Sequence, residues 1–305
     1  MLPPHLVALR PHQWSKNLFV LAALAFALWD RTQEVVVDGA TIGRVVAAFF
    51  AFCLGASAIY LVNDILDVEN DRRHPLKRLR PIPAGKVAIA TAWWMAAACA
   101  AGAMVLGALA GGEPAPVLAA LIAYVVLNLA YSARLKHVVL VDAFCIAAGF
   151  LLRVVAGGLA AHAPVSHWLL LCTLFLALLL ALGKRRAELA LLGENGGAHR
   201  ASLLSYDVGF LDQMVTLLSA VTVVCYTMYT LDADTGAKFG SGNGLVFSVP
   251  FVVFGVARYL LLLHTSDKGG NPTRLFLGGD RLFLANLVAW MAVVWAALTG
   301  RLVTW

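Results

Sequence analysis

Three aspartates that follow the apolar segment 42–62 have the clearest chemistry in this chain. Asp64, Asp67 and Asp71 are spaced i, i+3 and i+7, and about 100° of rotation per helical residue places them within roughly 60° of one another. Carboxylates that face one small volume repel each other unless a cation binds between them, and ligands made only of oxygen suit Mg²⁺ better than zinc or copper. The spacing therefore predicts a magnesium site, with a solvated acidic helix end as the alternative.

A basic loop follows these acids directly. Its basic residues are Arg72, Arg73, His74, Lys77, Arg78, Arg80 and Lys86. Proline fixes φ, so Pro75, Pro81 and Pro83 are expected to hold the arginines in place before a ligand arrives. Arginine matches phosphate oxygens with two parallel donors, while lysine supplies a point charge. Acids and basic loop together predict a diphosphate site, and the alternative is a loop that only fixes membrane topology.

The composition predicts an all-α integral membrane protein. Apolar residues make up 61% of the chain and the mean hydropathy is +0.82, whereas an ordinary globular domain has about 45–50% apolar residues. The spans are too apolar and too rich in Gly and Ala for strands of a membrane barrel. Without a linker or soluble region, residues 1–305 are expected to form a single helical-bundle domain. Windows of about 20 apolar residues predict nine spans: 14–29, 42–62, 87–110, 115–130, 138–161, 168–183, 214–231, 245–263 and 282–300.

The distribution of positive charge predicts the orientation in the membrane. Of the 23 Lys and Arg residues, all but six fall on one side of the predicted spans; the exceptions are Arg31, Arg44, Lys238 and Arg301 on the other side and Arg153 and Arg258 inside spans. The positive-inside rule then places the N-terminus and the acidic motif in the cytoplasm and the C-terminus outside. The net charge of +6 is explained by topology, so no nucleic-acid partner is expected. The five cysteines have no Cys-x-x-Cys spacing and are interpreted as small core residues.

Two other cytoplasmic segments carry candidate phosphate ligands. Tyr131 and Lys136 lie between the fourth and fifth spans, and Lys184, Arg185 and Glu188 end the sixth. Lys184 and Glu188 are i, i+4 partners, which is typical of a helix-surface pair. Beside an acidic metal cluster, Lys184 and Arg185 would instead neutralise a second phosphate.

Ionisable residues near or inside spans are further candidates. Asp142 and Arg153 lie eleven residues apart, on nearly the same helix face and about 16 Å apart along the axis. Groups at such depth normally face a cavity or a partner, and the alternative for Arg153 and Arg258 is an interhelical hydrogen-bond anchor. Asp280 offers a fourth carboxylate. Small residues on the fifth span are expected to allow close helix approach: Gly149, Gly157 and Gly158.

These motifs resemble the UbiA superfamily of intramembrane prenyltransferases over nearly the full chain. Besides the Asn63-Asp64-x-x-Asp67-x-x-x-Asp71 pattern, the resemblance rests on residues 9–17, 60–64, 77–82, 131–137 and 183–189. It implies a UbiA-type bundle of about nine helices, in which the acidic motif holds Mg²⁺ against a diphosphate in a lateral cavity open to lipid. The motifs are most similar to the branch that transfers phosphoribosyl groups to polyprenyl phosphates of the decaprenyl type.

The departures from the superfamily pattern favour the same branch. Quinone-type members carry a second Asp-x-x-x-Asp after the sixth span, where residues 183–189 are basic with one acid. Extra cations suit a donor with an additional phosphate, such as phosphoribosyl pyrophosphate. The Tyr-x-x-x-Lys pattern is one residue longer between Tyr131 and Lys136, and residues 270–273 replace an acidic segment before the last span. That replacement argues against a metal role for Asp280.

The resemblance implies roles for individual residues. Catalytic roles are expected for Asp64, Asp67, Asp71 and Lys184, the three aspartates being the metal ligands. Substrate binding is expected for Lys16, Asn63, Lys77, Arg78, Arg80, Tyr131, Lys136, Arg153, Arg185 and Glu188. The implied partners are phosphoribosyl pyrophosphate, a polyprenyl phosphate, Mg²⁺ and the lipid bilayer of a bacterial plasma membrane, with a homo-oligomer left open.

Two other functions remain as alternatives from the sequence. An ordinary UbiA-type enzyme would use a prenyl diphosphate donor with an aromatic or glycerol-phosphate acceptor, and it would favour the second acidic motif that this chain lacks. A transporter or lipid-phosphate flippase would usually contain inverted repeats, and the sequence contains no persuasive internal repeat.

Overall fold

The computed structural model describes residues 3–32, 37–75, 77–111, 114–192, 206–240, 244–265 and 279–302. Every regular element within these residues is helical, which confirms the all-α prediction. The α-helices are α1 (Pro4–Ala8), α2 (Ala22–Ala27), α3 (Gly39–Leu66), α4 (Val68–Arg73), α5 (Ile89–Leu109), α6 (Pro114–Ala133), α7 (Val141–Ala161), α8 (His167–Leu192), α9 (Val208–Leu231), α10 (Ala233–Phe239), α11 (Val249–Thr265) and α12 (Arg281–Leu298). Short 3₁₀ helices lie at Pro11–Leu21, Lys77–Leu79, Leu135–His137 and Gly244–Ser248.

Eight helical segments of the described chain are long and apolar enough to cross a membrane. They are Gly39–Leu66, Ile89–Leu109, Pro116–Ala133, Val141–Ala161, His167–Ala190, Val208–Leu231, Gly244–Thr265 and Arg281–Leu298. They correspond to the second to ninth predicted spans. The first predicted span, 14–29, instead forms the 3₁₀ helix Pro11–Leu21 followed directly by α2.

Polar side chains anchor this first segment to α3. The indole N–H of Trp14 donates to the Ser57 hydroxyl (3.1 Å), and Asn17 Nδ2 donates to the Cys53 sulfur (3.2 Å). Trp14 and Asn17 are three residues apart, and side chains at i and i+3 lie on the same face of a 3₁₀ helix. Both polar side chains therefore meet one neighbour, which apolar content alone does not reveal.

The first of two compact units comprises residues 1–28, 35–133 and 149–165. Helix α3 is its centre and packs against α5, α6 and the segment Pro11–Leu21, around a core that includes Val45, Phe52 and Leu121. A side chain at Gly157 would collide with the backbone carbonyl of Val20. The expected close approach at the glycines of α7 is therefore confirmed at this position.

The second unit comprises residues 29–34, 134–148 and 166–305. In it, α8 packs against α9, and α11 packs against α9 and α12. Asp207, Asp232 and Asp280 cap α9, α10 and α12, because each carboxylate accepts the backbone N–H three residues further on. The organisation of residues 1–305 as one domain stays a prediction.

Candidate active site

The acidic motif lies where α3 ends and α4 begins, in the first unit. Asp67 separates the two helices with φ −92° and ψ 7°, although its N–H still donates to Asn63 (2.9 Å) and its carbonyl accepts from Asp71 (2.8 Å). Asp64 and Asp71 are each 2% exposed, whereas Asp67 is exposed. At the junction of the two helices, Asp67 is therefore exposed while Asp64 and Asp71 are buried.

The arrangement differs from the expected cluster of three carboxylates. Within the described parts of the chain, no three His, Cys, Asp or Glu side chains lie together in a way that would hold a metal ion. The predicted cluster requires an unbroken helix from Asp64 to Asp71, whereas α3 ends at Leu66 and α4 begins at Val68. Two buried carboxylates and one exposed carboxylate result.

Cations of the neighbouring segments bind the two buried carboxylates. One guanidinium nitrogen of Arg80, Nη1, donates to both Asp64 Oδ1 (3.0 Å) and Asp71 Oδ2 (2.7 Å). Arg10 Nη2 also donates to Asp64 Oδ1 (2.5 Å), and Lys77 Nζ lies 3.6 Å from Asp71 Oδ1. The acids and the basic loop therefore meet, as the interpretation of a diphosphate site requires.

The loop that carries Arg80 is a compact turn. The backbone N–H groups of Lys86 and Val87 both donate to the Pro81 carbonyl (2.9 and 3.1 Å). Gly85 adopts a left-handed φ of +72°, a conformation that glycine tolerates without strain. Ile82 is buried in the core beside α3 and α5. The turn therefore holds Arg80 on a fixed backbone, which agrees with the role predicted for the prolines.

The other candidate ligands of the first unit differ in how accessible they are. The exposed Arg78 side chain makes no hydrogen bond or ion pair with any described residue, so it is available to a ligand. Asn63 Nδ2 donates to the Ser132 hydroxyl (3.1 Å), which ties α3 to α6 beside the acidic motif. Lys16 and Tyr131 are partly buried. Substrate contacts of these residues stay predictions.

Arg153 is a buried arginine that ties three segments of the first unit together. Its Nε donates to Asn17 Oδ1 (2.7 Å), Nη2 to the Tyr124 hydroxyl (2.9 Å) and Nη1 to the Gly149 carbonyl (2.8 Å). The guanidinium carbon also lies 4.4 Å from the centre of the Tyr124 ring. These contacts confirm the interhelical-anchor interpretation, and direct substrate binding by Arg153 stays a prediction.

In the second unit, the basic segment of α8 surrounds a buried ion pair. Arg185 is 2% exposed; its Nε donates to Asp142 Oδ2 (2.8 Å) and its Nη1 to Glu188 Oε2 (2.9 Å). Lys184 is about half exposed, and its Nζ lies 3.8 Å from Glu188 Oε1. Arg185 therefore contacts both Asp142 and Glu188, while Lys184 pairs with Glu188 and is accessible at the surface. Phosphate binding by Arg185, Lys184 or Lys136 stays a prediction.

Tyr206 completes this buried network and was missed by the sequence reasoning. Its hydroxyl donates to Asp142 Oδ1 (2.9 Å) and accepts from the backbone N–H of Leu140 (2.7 Å), a residue with a left-handed φ of +65°. Burial raises the pKa of Tyr206 to about 12, and the hydrogen bond to Asp142 acts in the same direction. Tyr206 is distant in sequence from Asp142 and belongs to no motif, so no sequence signal indicated it.

The remaining charged candidates are explained by pairing. Arg258 donates through Nε and Nη2 to the two carboxylate oxygens of Asp280 (3.2 and 2.8 Å). Asp280 also caps α12 through the N–H of Phe283. The fourth carboxylate therefore makes structural contacts with Arg258 and with the start of α12. Residues 270–273 lie outside the described residues.

The first-unit arrangement fits a hard divalent cation. Asp64 and Asp71 each have a carboxylate oxygen within hydrogen-bond distance of the same atom, Arg80 Nη1. Carboxylate oxygens are the ligands that Mg²⁺ prefers, and Mg²⁺ usually binds to one or two carboxylates together with substrate phosphates. The two buried acids, the exposed third acid and the accessible cations are compatible with the predicted magnesium-bound diphosphate, and binding of metal and diphosphate stays a prediction.

The comparisons with known proteins agree on one family. The profile of the UbiA prenyltransferase family matches residues 14–188. The chain is 38% identical over 302 residues to the decaprenyl-phosphate phosphoribosyltransferase of Mycolicibacterium smegmatis, covering 95% of this chain and 91% of the relative. It is 39% identical over 287 residues to the enzyme of the same name from Corynebacterium glutamicum, covering 93% and 83%.

Solved structures agree with the fold. A UbiA homologue from Archaeoglobus fulgidus bound to GPP and Mg²⁺ has a TM-score of 0.68 at 18% identity, covering 97% of this chain and 99% of the other. A digeranylgeranylglyceryl phosphate synthase has a TM-score of 0.65 at 18% identity, with 97% and 98% covered. At these identities the likeness extends to the fold alone.

Proposed function

The chain belongs to the UbiA prenyltransferase family, and we propose that it is a phosphoribosyltransferase of that family. It transfers the 5-phosphoribosyl group from phosphoribosyl pyrophosphate to a polyprenyl phosphate of the decaprenyl type and releases pyrophosphate. The product is polyprenylphosphoryl-β-ribose 5-phosphate, a precursor for pentose polymers of the cell envelope. The observation that carries this conclusion is the identity of 38–39% with two decaprenyl-phosphate phosphoribosyltransferases over 93–95% of the chain.

The acidic motif is the proposed metal site. Asp64, Asp67 and Asp71 are the residues that would hold Mg²⁺, and the bound ion would neutralise charge on the pyrophosphate leaving group. Exposed Asp67 is the carboxylate that a ligand reaches without breaking an ion pair, since Asp64 and Asp71 already bind arginine. The Archaeoglobus fulgidus homologue with bound Mg²⁺ supports a divalent cation in this fold.

The basic loop is the proposed binding site for the donor phosphates. Arg78 is exposed on the turn Lys77–Leu79, so its guanidinium is free to bind two phosphate oxygens. Arg80 and Lys77 lie at the acids and add positive charge where the pyrophosphate would lie. We assign Lys184, whose ammonium is about half exposed, to a further substrate phosphate.

The transfer reaction needs little proton chemistry. An oxygen of the polyprenyl phosphate forms a new bond to C1 of the ribose, while the C1–O bond to pyrophosphate breaks and pyrophosphate leaves with the electron pair. The acceptor attacks from the face opposite the leaving group, which inverts C1 and gives the β product. The acceptor phosphate is already an anion near neutral pH, so no strong general base is required. Catalysis rests on positioning and on charge stabilisation by the cationic side chains.

The membrane supplies the acceptor. The prenyl tail remains in the bilayer that the apolar helices cross, and its phosphate reaches the membrane surface. We propose a multi-pass location in a bacterial plasma membrane, with the N-terminus and the active site in the cytoplasm and the C-terminus outside. The support is the excess of Lys and Arg in the loops on one side of the spans.

Donor binding distinguishes this function from ordinary prenyl transfer. A ligand that binds the native state raises its apparent stability by mass action. We expect phosphoribosyl pyrophosphate to raise the unfolding temperature of the purified protein in the presence of Mg²⁺ but not after addition of EDTA. Stabilisation by geranylgeranyl diphosphate without any effect of the sugar donor would instead favour the prenyltransferase alternative.

A further inference from the structure

We propose that Arg80 couples metal binding to donor binding. Its guanidinium and a divalent cation exclude one another between Asp64 and Asp71, so the cation binds tightly only together with the diphosphate of the donor. This inference rests on the proposed function, because it concerns the order in which the same site fills.

The exclusion follows from the position of one atom. Arg80 Nη1 lies 3.0 Å from Asp64 Oδ1 and 2.7 Å from Asp71 Oδ2. A Mg²⁺ ion that bridges these oxygens needs each of them at about 2.0–2.1 Å. Such an ion would occupy the place of this nitrogen, so Arg80 must withdraw from the carboxylates before the ion can bridge them.

The local charge balance gives the same result. The motif has three carboxylates, and three cationic side chains contact the buried two: Arg10, Lys77 and Arg80. A divalent ion that enters alone leaves this partly buried site with surplus positive charge, which is unfavourable. A diphosphate brings the missing negative charge and offers Arg80 new oxygen acceptors. Metal and donor therefore bind with positive cooperativity, which is a coupling free energy between their sites.

Arg80 is better suited to this exchange than Arg10. Arg10 contacts Asp64 but makes no contact with Asp71 among the described ion pairs, and its guanidinium lies 4.8 Å from the centre of the Tyr60 ring. The Arg80 side chain is 33% exposed, so it has solvent-facing space into which it can turn. Arg80 contacts both buried carboxylates in the described structure, so withdrawal of its side chain opens the position between them and leaves Arg10 on Asp64 and Lys77 near Asp71.

Titration of the purified full chain with Mn²⁺, a paramagnetic substitute for Mg²⁺, tests the exclusion. Without donor, Arg80→Gln should bind Mn²⁺ at least tenfold more tightly than the wild type, because the competing cation is gone. Arg134→Gln is the control, since Arg134 is an exposed arginine outside both the acidic motif and the basic loop; it should behave as the wild type does. Equal Mn²⁺ affinity of Arg80→Gln and wild type overturns the inference.

The wild type alone provides a second test, in case Arg80→Gln does not fold. Its affinity for Mn²⁺ should rise at least tenfold when phosphoribosyl pyrophosphate is present at saturation, after correction for the Mn²⁺ that the free donor binds. Unchanged affinity, with a donor that still stabilises the protein, contradicts the coupling but leaves the proposed function intact. A donor that does not stabilise the wild type with any metal contradicts the proposed function itself.

Discussion

Asp142 and Arg185 form an ion pair that is almost completely buried, with Arg185 Nε 2.8 Å from Asp142 Oδ2 and side-chain exposures of 0% and 2%. Removing one charge of such a pair leaves the other unpaired in a medium of low polarity. We expect Asp142→Asn to lower the free energy of unfolding by about 3–5 kcal/mol, measured by thermal or denaturant unfolding in detergent. Asp212→Asn is the control, because Asp212 pairs with Arg186 at a more exposed place; a similar loss in both variants would contradict the account.

Tyr206 gives this network a pH dependence. The pKa of a free tyrosine is about 10, and burial raises the pKa of Tyr206 to about 12 in the folded protein. Its contribution to stability is therefore complete below about pH 10 and is lost as the pH rises from about 10 towards 12. Tyr206→Phe should be less stable than the wild type near neutral pH, yet lose less stability between about pH 10 and 12. If the stability of the two proteins falls equally with pH over that range, Tyr206 does not cause this pH dependence.

Variants of Asp67 and Asp64 should differ in their effects on turnover and on stability. Asp67 is exposed and has no ion pair with the described residues, so Asp67→Asn should abolish turnover and leave the unfolding temperature unchanged. Asp64→Asn should abolish turnover and also lower stability by about 1–3 kcal/mol, because Arg10 and Arg80 lose a shared acceptor. Paired measurements of kcat and unfolding temperature check both. Glu69→Gln, an exposed acid of α4, is the control; full activity of Asp67→Asn would remove it from the metal site.

Variants of the exposed cations Arg78 and Lys184 test whether these residues bind phosphate or only fix the membrane topology. Arg78→Ala and Lys184→Ala should each cost about 2–5 kcal/mol in kcat/KM, since a phosphate would be left unpaired. Arg78→Lys should recover only part of the loss, because an ammonium cannot donate two parallel hydrogen bonds. Arg134→Ala is the control, because Arg134 is an exposed cation outside the basic loop and has no proposed contact with substrate. Losses no larger than that of Arg134→Ala would indicate that Arg78 and Lys184 serve membrane topology alone.

Part of the fold and of the site was predictable from the sequence because it depends on local pattern. The apolar windows predicted the second to ninth spans, and the succession of acids and basic residues predicted that the acidic motif and the basic loop lie together. The helix end at Asp67 was not predictable, since it depends on a single turn rather than on periodicity. The 3₁₀ form of Pro11–Leu21 was not predictable either, because a window of apolar residues does not distinguish a 3₁₀ helix from an α-helix.

The partners that buried residues meet in the folded protein also cannot be deduced from sequence patterns. Arg185 has the residue type and spacing of a phosphate ligand, but its Nε is bonded to Asp142, which is distant in sequence. Arg153 likewise meets Asn17 and Tyr124 from other segments. For buried arginines, the sequence indicated that a partner is needed, and only the packing identified it.

The most direct measurement of the central claim is product formation by the purified protein in lipid bilayers. The reaction contains phosphoribosyl pyrophosphate labelled in the ribose, a polyprenyl phosphate and Mg²⁺, and the lipid extract is separated by thin-layer chromatography. We predict a labelled lipid that requires both substrates and the metal, forms in a one-to-one ratio with pyrophosphate, and is missing with Asp67→Asn. Absence of this lipid, while the same preparation transfers a prenyl group from a prenyl diphosphate to an aromatic or glycerol-phosphate acceptor, would contradict it.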